Sequence, residues 1–417
     1  MTVTTRGAAL ADQSDRRIVV CALGITQIFA WGSSYYLLAV LSQPIAAETG
    51  WPLSWVIGGL SLGLLLAGLV SPFVGRRIER TGGRPVLAAG AILLASGLLA
   101  LAEARSFPGY LLAWIVIGLG MGAGLYDPAF SMLGRIYGQS ARSLITAVTL
   151  FGGFASTVCW PLTAYLEARL GWRGTCVAYG LLQLFFALPI HLWVLPRQVP
   201  PAKSSAYEPP QTQNGTSADH RESKLLFLLI ATVIALSSVL STVMSVHLLT
   251  WLQARGIGVS AAVALGAMIG PSQVGARTVE MFVARFHHPI WTKLASTTLV
   301  ATGVVLLSAG SPAISVALVL YGAGIGLESI ARGTLPLAVF GAADYPAVMG
   351  RIARPSLVAQ AVAPTIAAGL IDATGFEGML AALAALALGN ALLSVTLFVV
   401  LNARSRASAP ERMRPSG

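Results

Sequence analysis

The chain has 417 residues, 55% of them hydrophobic and only 10% charged, with a formal net charge of +11 and a pI near 10.1. A soluble domain carries about 25% charged residues, so this composition and a mean hydropathy of +0.75 exclude one and indicate an all-α polytopic membrane protein. No basic stripe interleaved with aromatic residues points to nucleic acid, so the positive charge describes membrane topology and attraction to anionic inner-leaflet lipids.

In chain order, Arg6, Arg16 and Arg17 precede the first apolar stretch, and no small-residue cleavage site follows a short apolar core, so this segment reads as a retained span. Twelve stretches follow, at roughly 18–41, 54–75, 85–102, 109–134, 143–166, 173–195, 224–252, 260–283, 290–309, 312–336, 346–371 and 377–402. Most run to about 20 residues, enough at 1.5 Å per residue to cross a hydrocarbon core of about 30 Å. Their many Gly and Pro suit helices packed closely in lipid. Twenty-one of the 27 Lys and Arg residues fall on one side of this path and four, Arg105, Arg169, Arg173 and Arg255, on the other. Positive charge is retained on the cytoplasmic side, so both termini are expected inside, in an inner (plasma) membrane. Trp51, Trp55, Trp172, Trp193, Trp251 and Trp291 lie near span ends, where headgroup anchoring is expected.

One polar, proline-rich interruption, 196–223, divides an N-terminal six-helix bundle, 1–195, from a C-terminal one, 224–417, and reads as a flexible cytoplasmic linker. Asn214-Gly-Thr216 inside it matches a glycosylation acceptor, but on the cytoplasmic side it counts as chance. The halves look related. Gly118, Gly120 and Gly122 recur 204 residues later as Gly322, Gly324 and Gly326, and Gly174 as Gly378. An internal repeat around a central linker is a common transporter plan, with the substrate near the midplane between the halves.

The loop between spans 2 and 3 reads Gly75-Arg-Arg-Ile-Glu79-Arg80-Thr-Gly82-Gly83-Arg84-Pro85. It resembles the loop signature of the major facilitator superfamily, G-x-x-x-D-[RK]-x-G-[RK]-[RK], with Glu79 where Asp is usual and Gly83 in place of a base. The glycines suit a tight reversal, and the charges can latch neighbouring helix ends. The stretch from Glu48 to Trp55, then Pro72 to Gly75, with Gly270-Pro-Ser-Gln-Val-Gly275 in span 8, is similar to the monocarboxylate and oxalate/formate branch. That branch commonly places a substrate-binding Arg just before the proline, where this chain has Gly270. Trp114 stands where many proton-coupled drug exporters have arginine, and span 5 has Gly152, Gly153 and Pro161 without the antiporters' Gly-Pro pattern. The resemblance implies the major facilitator fold and a secondary transporter of a small organic solute, an organic anion in this branch, driven by protons and acting as a monomer in the bilayer without cofactors. It favours uptake over export of drugs or metalloid species.

Charges inside spans are costly, and five stand out: Asp127 in span 4, Arg277 and Glu280 in span 8, Glu328 and Arg332 in span 10. Asp127, Arg277 and Glu328 are expected roughly 6 to 8 Å to the cytoplasmic side of the midplane, with Glu280 and Arg332 deeper, forming a network for proton coupling or gating. Glu328 with Arg332, and Arg277 with Glu280, have the spacing of same-helix pairs. That leaves Asp127, followed by the helix-breaking Pro128, either as a proton-accepting carboxylate or as a latch. Substrate contacts are expected from polar and aromatic residues near midspan: Gln27, Trp31, Ser34, Tyr35, Tyr126, Ser241, Thr242, His247 and Gln360. Cys21, Cys159 and Cys176 share no metal or redox spacing, and no metal site or catalytic triad is expected. Membrane-embedded enzyme and non-transporting sensor or scaffold are the rival classes. The first would need clustered catalytic acids or metal ligands and the second a soluble output domain.

Overall fold

The computed structural model describes residues 3–197 and 217–407, so most of the expected linker, with its acceptor motif, lies outside the described residues. The chain forms helices α1 (Val3–Gly32), α2 (Leu37–Thr49), α3 (Leu53–Thr81), α4 (Gly83–Glu103), α5 (Phe107–Gly124), α6 (Tyr126–Tyr137), α7 (Ala141–Gly153), α8 (Ala155–Leu182), α9 (Ser217–Ala254), α10 (Val259–Ala267), α11 (Ile269–Val283), α12 (Pro289–Ser308), α13 (Ile314–Phe340) and α14 (Tyr345–Ala407). All twelve spans are present as a multi-pass helical bundle, but they do not map one to one onto these helices. Spans 1, 4, 5 and 8 are each broken in two near midspan, whereas α8 and α14 each run through two spans.

Two of the breaks follow from proline. Pro128 cannot donate to the carbonyl of Gly124 and would crowd it, so α5 stops at Gly124 and the backbone extends at Leu125 (φ −85°, ψ −159°) before α6 restarts. Gln27, wholly buried, donates from Nε2 to the released Gly124 carbonyl at 2.7 Å, replacing the lost bond. Pro271 stands in the same relation to Ala267, where α10 ends. The long helices turn at Gly171 (φ 68°, ψ 174°) and Gly375 (φ 71°, ψ 178°), 204 residues apart, where an L side chain would be strained.

The repeated glycines keep matching environments in the two bundles. A Cβ at Gly118 or Gly122 would strike span 2, at Gly63 and Ala67, while one at Gly120 would strike Leu94 of span 3. In the second half Gly322 and Gly326 press on span 8, at Ile269 and Gln273, and Gly324 on Val300 of span 9. Small residues on alternate sides of one helix let three backbones approach closely. Each bundle has its own apolar core, one around Leu98, Trp114 and Tyr179, the other around Trp251, Val304 and Leu318.

The two halves close on each other at the face that carries the 2/3 loop, here the basic face. Gly75 lies against the Pro346 carbonyl and Gly350, Gly134 against the ring of Tyr345, and Gln139 Nε2 donates to the Leu337 carbonyl at 3.1 Å. Arg142 Nη1 donates to the His287 carbonyl at 2.5 Å. Arg84 donates to the carbonyls of Leu192 and Leu195, capping the end of span 6. Arg80 is exposed, and the Glu79 carbonyl accepts from Arg135.

The tryptophans divide differently from the expected anchoring pattern. Trp55, Trp193 and Trp291 are exposed, but Trp172 and Trp251 are buried in the bundle. Arg173 and Arg255 lie over these two rings, and Trp172 Nε1 donates to Glu48 Oε2 at 2.8 Å.

Candidate substrate site and charge network

The break in span 4 puts Asp127 in the first turn of α6, where backbone N–H groups and the helix dipole favour negative charge. Arg332 reaches it from α13 in the other half. Its Nε lies 3.0 Å from Oδ1 and its Nη2 2.9 Å from Oδ2, a two-pronged ion pair. Arg332 Nη1 also donates to Ser356 at 2.8 Å and Ser238 at 3.5 Å, hydroxyls that are themselves 2.7 Å apart. Gln360 Nε2 approaches the same Ser356 hydroxyl at 3.5 Å.

The same-helix pairs expected from spacing are absent. One turn from Arg332, Glu328 takes Lys293 of α12 instead, with Nζ 2.6 Å from Oε1 and 2.5 Å from Oε2, and it also accepts from Ser296 at 3.0 Å. Lys293 is 0% exposed and donates to Ser237 at 3.0 Å. Glu280 accepts from Thr292 at 2.6 Å and lies 3.6 Å from His287 Nε2. Lys293 is the fourth residue of span 9 and adds a sixth charge to the five expected inside spans, so the layer holds three acids and three bases and its imbalance is local.

That imbalance sits at Arg277. Buried at 5% exposure, it donates to the carbonyls of Thr149 (3.0 Å) and Gly326 (3.3 Å) and to Gln273 Oε1 (3.4 Å). Among the described residues no carboxylate lies within ion-pair distance of it. Its Nη1 rests on Gly153 and the Tyr126 hydroxyl on Gly152, so adjacent glycines of span 5 seat both groups, and Tyr36 also lies within the guanidinium's electrostatic reach.

Aromatic rings surround this point. The turn that interrupts span 1 presents Trp31, Tyr35 and Tyr36; Trp31 lies 5.3 Å from Tyr35 and 5.0 Å from Tyr126, and Tyr36 lies 6.1 Å from Trp160. In the other half, the Thr242 hydroxyl donates to the Ser238 carbonyl at 2.8 Å and the Ser241 carbonyl accepts from Ser245 at 2.7 Å. Other residues singled out from the sequence serve backbone groups: Ser34 donates to the Ala30 carbonyl at 2.6 Å and His247 Nε2 lies 3.4 Å from the Pro364 carbonyl. Tyr36, Trp160, Gln273 and Lys293 were not anticipated. The signal for Tyr36 was its place beside Tyr35 in a Gly-Ser-Ser break.

A family model for the Major Facilitator Superfamily matches residues 23–287, more than half of the chain. The chain belongs to the Major Facilitator Superfamily. Among superfamily relatives, it is 34% identical to the human monocarboxylate transporter 14 over 31% of this chain and 25% of that protein. It is 30% identical to the rat monocarboxylate transporter 3 over 43% of this chain and 36% of that one. The chain thus spans about a quarter to a third of the length of these curated relatives. Among solved superfamily folds, it superposes on the human organic anion transporter TETRAN with a TM-score of 0.72 at 17% identity, covering 91% of this chain and 99% of that one. The E. coli fucose:proton symporter gives 0.69 at 15% identity, covering 95% and 100%. Membership in this superfamily, with curated relatives named as transporters, sets the chain among transporters and not among enzymes.

Proposed function

We propose that this protein is a secondary active transporter that carries a small organic monoanion together with protons by alternating access, acting as a monomer in the plasma membrane with both termini cytoplasmic. The carrying observation is Arg277, buried with no carboxylate within ion-pair distance among the described residues, whereas the partly buried Arg332 and the fully buried Lys293 each have one. A charge buried without a partner is costly, and one bound carboxylate would balance it, which favours a monoanion over a dianion. Arg277 lies seven residues, two helical turns, beyond Gly270 on the same helix, so an anion-binding arginine would be shifted along span 8 and not lost. The monocarboxylate transporters among its relatives support the same class.

For the proton, the supporting feature is the Asp127–Arg332 pair, which joins the halves in the conformation closed at the basic face. Opening that face pulls α6 from α13, and Asp127 then exchanges Arg332 for a proton. Its return to Arg332 on closure releases that proton, which gives the carboxylate a different partner in each conformation. The loop glycines Gly75 and Gly82 and the charges Glu79, Arg80 and Arg84 set the balance between the two conformations without touching substrate.

The test is thermal stabilisation of the purified protein by lactate, pyruvate, benzoate and succinate, since a ligand of the folded state raises its apparent stability. Stabilisation by monoanions that disappears in Arg277→Gln is expected. No response to any monoanion, or an undiminished response in Arg277→Gln, would overturn the assignment.

A further inference from the structure

Resting on the monoanion reading of Arg277, we infer that the body of the substrate is aromatic: the site selects planar arylcarboxylates over aliphatic acids of equal charge. The rings of Trp31, Tyr35, Tyr36, Tyr126 and Trp160 form one connected cluster, with centroid separations from 5.0 to 6.3 Å and mostly steep interplanar angles. Trp31, Tyr35, Tyr36 and Tyr126 are partly buried and Trp160 is exposed, so each ring keeps some accessible surface. Edge-to-face and offset rings attract beyond simple area burial because the edge of one ring is positive and the face of another negative. A planar ligand ring entering such a cluster gains that term, and a saturated ring of the same size does not.

The geometry sets the ligand's direction. Tyr126 bridges the two parts of the site, with its ring 5.0 Å from Trp31 and its hydroxyl seated on Gly152 beside the Gly153 that carries Arg277 Nη1. A carboxylate on Arg277 therefore projects its body toward the rings. Within the cluster, next to Tyr126, Trp31 Nε1 is buried and has no hydrogen-bond partner among the described residues. A buried donor without an acceptor is costly, and a ligand that brings an acceptor to that point relieves it. The preferred substrate thus carries one carboxylate, a planar ring, and a hydroxyl or keto oxygen on that ring.

Binding to the purified full-length protein in detergent is measured calorimetrically near neutral pH with four sodium salts: benzoate, para-hydroxybenzoate, cyclohexanecarboxylate and lactate. Benzoate and cyclohexanecarboxylate match in charge and size and differ in planarity. Benzoate is expected to bind about tenfold more tightly than cyclohexanecarboxylate, the scale of one to two ring–ring contacts. Para-hydroxybenzoate is expected to bind more tightly still, with that further gain lost in Trp31→Phe, which keeps a ring and removes the donor. Arg277→Gln is expected to weaken every anion, while Arg277→Lys retains part of the binding. If cyclohexanecarboxylate or lactate binds as tightly as benzoate, and both depend on Arg277, the aromatic selectivity is overturned while the monoanion reading stands. Binding indifferent to Arg277 would sink both.

Discussion

The buried Lys293–Glu328 pair allows a prediction with a magnitude. Lys293 is 0% and Glu328 13% exposed at the side chain, and the two approach to 2.5 Å. Ser296 and Ser237 complete their hydrogen bonds. Breaking such a pair by removing one partner leaves an uncompensated buried charge and costs about 3 to 5 kcal/mol, whereas replacing both partners by groups of similar shape is often nearly neutral. Glu328→Gln and Lys293→Met should therefore each destabilise the C-terminal bundle by about 3 kcal/mol, roughly a hundredfold in the folding equilibrium. The double variant should fall within about 1 kcal/mol of the parent. The assay is reversible unfolding in mixed detergent micelles, arranged as a double-mutant cycle. Additive losses in the double variant would mean that the two charges do not interact, and the assignment of Lys293 to the buried network would be wrong.

Three further expectations concern closure, turns and orientation. Gly75→Val places a side chain against the Pro346 carbonyl and the Gly350 Cα, 3.2 Å from the would-be Cβ, so it should hold the basic face open and raise thiol labelling of a cysteine introduced at Ser131. Unchanged labelling would mean that the Gly75–Gly350 contact does not gate the face. Gly171→Ala and Gly375→Ala should each cost about 1 kcal/mol in thermal unfolding, because both force an L residue to positive φ; a neutral result at either would contradict the turn geometry. A cysteine at Gly215 should resist impermeant reagents in intact cells, and strong labelling would reverse the proposed orientation.

The fold was legible because the length and spacing of apolar runs report directly on the bilayer. The repeat was legible because close packing at Gly118 and Gly322 leaves no room for a side chain. Helix breaks at Pro128 and Pro271 could be read from the missing donor, but the partner that Gln27 supplies to Gly124 could not, since it comes from 97 residues away. Pairing within the charged layer was the least legible part. Same-helix spacing suggested Glu328 with Arg332, yet Asp127 in the other half and Lys293 on the adjacent helix offer those groups shorter, better-aligned contacts. Sequence separation of 205 residues between Asp127 and Arg332 carries no trace of their contact.

The account turns on Asp127 exchanging Arg332 for a proton as the basic face opens, and that step can be watched without knowing the substrate. Spin labels at Arg76→Cys and Arg351→Cys, in a Cys21→Ser background, would report the distance between spans 2 and 11 by pulsed electron paramagnetic resonance. Both positions are exposed and flank the Gly75–Gly350 contact. Loss of a buried ion pair worth about 3 kcal/mol shifts a two-state balance roughly a hundredfold. Near neutral pH the parent should therefore give mainly the short distance, acid should bring up a longer one, and Asp127→Asn should show the longer one already at neutral pH with little further response to acid. An Asp127→Asn distribution that superimposes on the parent at every pH would contradict the account.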